Sequence, residues 1–368
     1  MLVWNVGPPR SVGAFLVSEG SARHDASGSL MARRPIILSL TNMHESGMCL
    51  LRASAEVRMA SAVDPATLRR EVVGADALII RTGGKVDAAL LDCGKDLKVV
   101  GRHGVGYDQI DVEAATERGI QVVNTPGANT ESVCEHVFAM MIGLSKHFPR
   151  MTAELAAGNF LFRTKMTGRD IYGRTLGILG FGRIGRRVGE VAHAAFKMKV
   201  LYNDIVPIPP EAEARAAARR ASFEEVLEAS EYVTLHVPLD ASTRHMIDRA
   251  ALARMRPDAI LINCARGSVV VESAVVEALD AGRLWGYASD VFEVEPPPAD
   301  HPLIGRPDVL LTPHSAAQTV EGLSNMATGI AQDVLGVLRG EPPRNPVNDP
   351  SLVNANRRRL GLAALSSF

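Results

Sequence analysis

Three glycines, in Gly180-Phe181-Gly182-Arg183-Ile184-Gly185, separate an apolar run at 175–179 from a stretch of helical period at 183–195. A chain that passes from strand to helix through such a turn exposes backbone amides at a helix N-terminus, where they can meet a pyrophosphate. The next strand-like run, 199–202, leads to Asp204, about twenty residues beyond the last glycine. A carboxylate there accepts the ribose hydroxyls of NAD and repels the 2′-phosphate of NADP. No arginine follows directly, since Ile205-Val206-Pro207 comes next. The expected cofactor is NAD.

The surrounding sequence alternates short apolar runs with helical stretches. Strands are expected at 36–40, 77–80, 98–100, 121–123, 199–202, 232–237, 259–263 and 309–311. Helices are expected at 111–118, 131–147 (with Thr130 or Ser132 as cap), 211–220, 273–281 and 319–340, and Ser222–Glu225 has the pattern of a capping box. Runs that are apolar throughout, with helices between them, specify parallel sheets covered on both faces. The expected class is α/β, with two doubly wound lobes and a cleft between them.

Composition narrows the partners. The 368 residues hold 40 Lys+Arg and 41 Asp+Glu, a formal net charge of −1, which argues against a general nucleic-acid or membrane-surface binder. No apolar run approaches the roughly 18 residues of a membrane span. The four cysteines are scattered without metal or disulfide spacing, so no metal is expected and a cytoplasmic setting is. Residues 1–33 lack any period and read as a non-functional extension, either disordered or the product of a start assigned before Met31.

Three positions in the second half carry chemistry. Arg266 follows a strand in Asn263-Cys264-Ala265-Arg266-Gly267, at the sheet end where open α/β folds place ligands. Glu295 lies in Asp290-Val291-Phe292-Glu293-Val294-Glu295-Pro296, and His314 in Thr312-Pro313-His314-Ser315. A guanidinium can hold an α-keto acid, and a histidine bonded to a carboxylate can pass a proton to its carbonyl. Together with a hydride donor, these are the requirements of 2-keto acid reduction.

In combination and in this order, the motifs resemble those of the D-isomer-specific 2-hydroxyacid dehydrogenases over roughly residues 35–345. The resemblance implies that Arg266 binds substrate, that His314 is the acid/base, and that Glu295 pairs with His314 to raise its pKa. It implies a Rossmann cofactor domain, 132–316, inserted between two segments, 34–131 and 317–345, of a flavodoxin-like substrate domain, with a tail at 346–368. The cofactor would meet Gly180, Gly182, Arg183, Ile184, Gly185 and Asp204, with Val237, Pro238, Thr243 and Cys264 alongside and Asp290 on the nicotinamide amide. A homodimer is also implied. A rival from another class is an NAD(H)-sensing corepressor module, which shares the same residues without significant turnover.

The first lobe is most similar to the catalytic portion of the phosphoglycerate-acting branch of that family. The matching stretches are Ile80-Arg81-Thr82-Gly83-Gly84-Lys85-Val86, 100–108 and 124–131. Thr82, Gly83 and Gly84 would present amides to the substrate carboxylate, with Arg81 near its far end. Two departures stand out. Gly84 replaces a hydroxyl residue and His103 replaces a small one, so Arg81, Arg102 and His103 suggest a larger or differently charged anion pocket. At Val271 the customary acid is missing, which removes a helix cap. Arg357-Arg358-Arg359 reads as a solvated end.

Overall fold

Among the described residues, every ladder between strands is parallel. The computed structural model describes residues 33–81 and 83–365, so the extension before Arg33, and Thr82, lie outside the described residues. The first sheet contains β1 (Ile36–Ser39), β2 (Glu56–Met59), β3 (Ala77–Ile80), β4 (Val99–Arg102) and β5 (Gln121–Val123), in the order β2-β1-β3-β4-β5. The second contains β6 (Thr175–Leu179), β7 (Lys199–Asn203), β8 (Ala218–Arg220), β9 (Tyr232–Leu235), β10 (Ile260–Asn263), β11 (Gly286–Ser289) and β12 (Val309–Leu311). Its order is β12-β11-β10-β9-β6-β7-β8. In each sheet the strand order reverses beside the first strand, which opens a crevice at the carboxyl ends.

The strands follow from their composition. β1, β3, β4, β9 and β10 are buried along their whole length, as continuous apolar runs covered on both faces should be. Helix Thr130–Ser145 leaves β5 of the first sheet but packs on β10, β11 and β12 of the second. Helix Val320–Leu338 leaves the second sheet after β12 but packs on β4, β5 and helix Glu45–Ser54. The chain therefore crosses between the sheets twice, and the described residues from Arg34 onward form one unit.

Several expectations are corrected. The residue at the N-cap of helix Thr130–Ser145 is Asn129, without a side-chain cap bond, and the Ser132 hydroxyl is bonded to Thr319 instead. The stretch 211–220 is not one helix: helix Pro210–Ala216 stops at Ala217 in a left-handed conformation, and β8 follows as an edge strand. Short, charged or small-residue strands such as β2, β8 and β11 lack the apolar run that marks the others. The basic end is not wholly solvated. Arg357 is buried on helix Pro350–Arg359 and donates to the Gly119 and Ala363 carbonyls, while Arg358 and Arg359 are exposed. Ser222 caps its helix through the Glu225 amide, and Val271 provides no cap, both as expected.

Two histidines, His103 buried and His236 half-buried with its Nδ1 enclosed, give the fold an acid sensitivity. Burial, reinforced by Arg81 and Arg102, pushes His103 from 6.5 down to about 4, and burial pushes His236 to about 3. Both are neutral when folded and take up a proton on unfolding. Their contribution is intact above pH about 6.5 and is lost as pH falls toward the folded values. Near pH 5 they make stability fall by on the order of 2 kcal/mol per pH unit. Urea melts at pH 7, 6 and 5 measure this, and a His103→Gln/His236→Gln variant with an unchanged slope would refute it.

Candidate active site

The glycine turn lies at the carboxyl end of β6, beside the reversal of strand order. A Cβ on Gly180 would come within 2.7 Å of the His236 backbone, and one on Gly185 within 2.1 Å of the Gly180 carbonyl. On Gly182 the same atom would meet nothing within 4 Å. The first and third glycines thus let the backbone close up, and the second leaves a cradle open at the N-terminus of helix Arg183–Phe196. No side chain caps that terminus, so its amides remain for an anionic ligand. Arg183 is exposed and Ile184 packs on the core. At the end of β7, Asp204 accepts from the amides of Phe181 (2.6 Å) and Val206 (2.8 Å), which ties it to the turn. These features fit a dinucleotide with its pyrophosphate on the turn and its ribose at Asp204.

The other expected cofactor residues follow β9 and β10. Val237 lies beside Gly180 and packs on the core, and Pro238 is exposed. Thr243 donates its hydroxyl to the Pro238 carbonyl at 2.6 Å, closing that loop. The Cys264 thiol is pushed well above its ordinary pKa by burial and then by Asp290.

Arg266, Glu295 and His314 come together on one cavity of about 1390 Å³, which Gly83, Arg102 and Asp108 also line. Arg266 follows β10, and its Nε donates to Asp108 at 2.9 Å, reaching from one sheet's loops to the other's. Its guanidinium lies where a Gly106 side chain would stand, since a Cβ there would be 1.4 Å from Nη2. Burial resists ionisation of Asp108, but the charge and hydrogen bond of Arg266 outweigh it and hold the carboxyl below its usual range.

His314 Nδ1 is 2.8 Å from Glu295 Oε2. Burial disfavours the Glu295 carboxylate, but His314, the Phe292 amide and Arg266 together hold its pKa down. The ionised carboxylate takes the proton on Nδ1 as its partner, which leaves Nε2 for a substrate. The backbone of His314 is left-handed, with φ 51°, and its amide donates to the Asp290 carbonyl at 2.7 Å. Asp290 is 1% exposed. Its carboxylate accepts from Thr312, Ser315 and Ala316, so here it secures the turn that carries His314.

In the first lobe, Gly83 and Gly84 have φ of +84° and +75°, a conformation that side chains rarely tolerate. Gly83 lines the cavity. Gly84 faces Leu40 and Leu68, so a hydroxyl at that position would meet packed side chains. Arg102 is 8% exposed; its Nε donates to the Gly106 carbonyl, and its Nη1 is enclosed without a partner. Burial and the neighbouring charges of Arg266 and Arg81, offset in part by Asp108, lower Arg102 to about 10. Burial also lowers the pKa of Arg81. His103 is 1% exposed with neither ring nitrogen bonded. Neither His103 nor Arg81 lines the cavity. Sequence reasoning passed over Asp108 as a site residue, although it follows a strand end at the cleft. It also passed over His136, a lone histidine in an apolar helix.

Known proteins resemble this chain in sequence and in fold. The model for "D-isomer specific 2-hydroxyacid dehydrogenase, NAD binding domain" matches residues 138–316. A D-3-phosphoglycerate dehydrogenase of Methanocaldococcus jannaschii is 40% identical over 317 residues, 86% of this chain and 60% of that protein. The chain spans between half and about six-tenths of the length of the phosphoglycerate dehydrogenases it matches. A glyoxylate reductase of Korarchaeum cryptofilum is 40% identical over 276 residues, 74% of this chain and 82% of that one. Among solved structures, a glyoxylate reductase from Paecilomyes thermophila covers 85% of this chain and 98% of its own, with a TM-score of 0.78 and 29% identity. An ordered set of site motifs, two doubly wound parallel sheets and relatives of this similarity place the chain in the D-isomer-specific 2-hydroxyacid dehydrogenase family.

Proposed function

We propose that this protein is an NAD-dependent dehydrogenase that interconverts a small anionic D-2-hydroxy acid and its 2-keto acid. The observation that carries the reading is the meeting of Arg266 with a Glu295-backed His314 on one cavity at the carboxyl ends of the strands. Arg266 and the Gly83-Gly84 amides hold the substrate carboxylate. During reduction, His314 Nε2–H gives its proton to the carbonyl oxygen at C2, and in the reverse direction it takes the hydroxyl proton back. Glu295 stabilises the imidazolium in both directions. When bound, the nicotinamide dinucleotide supplies or accepts the hydride at C2. The glycine turn and Asp204 would hold it, with Val237, Pro238, Thr243 and Cys264 alongside, while Asp290, enclosed and bonded to Thr312, Ser315 and Ala316, acts on the His314 turn instead of on the nicotinamide amide.

Arg81 and Arg266 each stand close enough to Arg102 to oppose its charge, and Arg102 keeps an enclosed nitrogen without a partner. A second anionic group on the substrate would relieve this. That favours 3-phosphoglycerate or a related hydroxy acid, with hydroxypyruvate and glyoxylate next. NADH oxidation with 3-phosphohydroxypyruvate, hydroxypyruvate and glyoxylate tests the reading. The doubly anionic acid is expected to have the highest kcat/KM, whereas tight NADH binding without turnover on any of them would support the corepressor-type module, which the named relatives do not favour.

Asp204 favours NAD. Asp204→Ala should cost about tenfold to a hundredfold in kcat/KM for NAD, the worth of a charge-assisted hydrogen bond, and narrow the preference over NADP. Steady-state kinetics with both cofactors measures this, and an unchanged NAD:NADP ratio would contradict it.

We read 132–316 as the cofactor domain, 34–131 and 317–345 as the substrate domain, and 346–368 as a tail. The family match at 138–316 and the packing of the two crossing helices support this division. Phe148, Leu155, Phe160 and Leu161 are exposed along one stretch and offer the apolar surface of a homodimer. Four unpaired thiols accord with a cytoplasmic setting.

A further inference from the structure

We propose that His136 is a positioning residue for His314, acting through Thr312 and Asp290. The proposal rests on the dehydrogenase reading for the role of His314. His136 lies on helix Thr130–Ser145, and its Nε2 is 2.9 Å from Thr312 Oγ1 and 3.6 Å from Asp290 Oδ1. Thr312 gives its single hydroxyl proton to Asp290 Oδ1 at 2.6 Å. Its oxygen is therefore the acceptor toward His136, so His136 Nε2 must carry a proton. The result is a directed chain from His136 Nε2–H to Thr312 Oγ1–H to the Asp290 carboxylate. On that carboxylate converge the amides of Ser315 (2.7 Å) and Ala316 (2.8 Å), the two residues after His314.

A second contact lies one helical turn earlier. Ser132 Oγ is 2.8 Å from Thr319 Oγ1, and Thr319 caps helix Val320–Leu338. Ser132 and His136 are spaced i, i+4, on one face of their helix. They grip the segment 312–319 at both ends, with His314 in its left-handed conformation between them. This helix carries the chain from the first sheet to the second. The acid/base is thereby held against the element that spans the cleft, and not only by its own loop. Displacements of about 1 Å at a reacting group can cost on the order of a hundredfold in rate, so a partial loosening should appear in turnover.

The test uses His136→Ala, His136→Gln and Thr312→Val in the full chain. His136→Ala is expected to lower kcat about tenfold, with KM for the keto acid and Kd for NADH within about twofold. His136→Gln can still donate an amide N–H to Thr312 and should recover most of the loss. Thr312→Val breaks this link and the bond to Asp290 without altering the helix, and should cost at least as much turnover as His136→Ala. A merely structural role would lower the melting temperature and NADH affinity together and would show no recovery with glutamine. A readout independent of activity is the downfield NMR signal of the His314 Nδ1 proton, assigned by its loss in His314→Gln. It should persist in His136→Gln and broaden or move upfield in His136→Ala. Wild-type kcat and an unmoved signal in both His136→Ala and Thr312→Val would overturn the proposal. A wild-type protein inactive on every keto acid would instead overturn the dehydrogenase reading, while the signal would still decide whether His136 positions His314.

Discussion

His314→Gln is expected to lower kcat by roughly 10²- to 10⁴-fold, the usual worth of a placed general acid, while NADH still binds. Glutamine can keep a hydrogen bond to Glu295 but has no acidic proton to give to the carbonyl oxygen. The loss should therefore fall on turnover and leave cofactor affinity nearly unchanged, because the glycine turn and Asp204 are built from other elements. Stopped-flow NADH oxidation and NADH fluorescence titration measure the two quantities separately. Wild-type turnover in His314→Gln would show that the proton comes from elsewhere.

Arg266→Gln should reduce kcat/KM by about tenfold to a hundredfold, the worth of about 1.5–3 kcal/mol for a hydrogen bond to a charged group at a half-buried site. The cost has two parts. The substrate carboxylate loses its guanidinium, and Asp108 loses the partner at 2.9 Å that offsets its burial. An unpaired Asp108 carboxylate would then repel the incoming acid. The variant Arg266→Gln/Asp108→Asn is accordingly expected to be less impaired than Arg266→Gln alone. Arg266→Lys keeps the charge but not the planar fork, so it should recover only part of the activity. Equal losses in the single and double variants would show that Asp108 has no electrostatic share.

The site was legible where its chemistry is local. The glycine turn declares itself by strand, glycines and helix in one stretch, and Arg266, Glu295 and His314 each sit in a compact motif after a strand. Asp108 and His136 were not legible as site residues because their partners are remote. Arg266 lies 158 positions from Asp108, and Thr312 lies 176 from His136. Only the two crossings between the sheets bring them together. The buried apolar strands were readable from composition, whereas β2 and β8 are edge strands and β11 is Gly286-Tyr287-Ala288-Ser289. Those are set by their neighbours in the sheet and not by propensity. Arg357 shows the same limit: a basic run looks solvated until a carbonyl 238 positions away becomes its partner.

The most direct test of the account follows deuterium from C4 of stereospecifically labelled NADH into the product of 3-phosphohydroxypyruvate or hydroxypyruvate. The expected product is the D-2-hydroxy acid with one deuterium at C2, formed in amounts equal to the NADH consumed and dependent on His314. Saturable NADH binding with no deuterium at C2 for any keto acid would contradict the dehydrogenase reading.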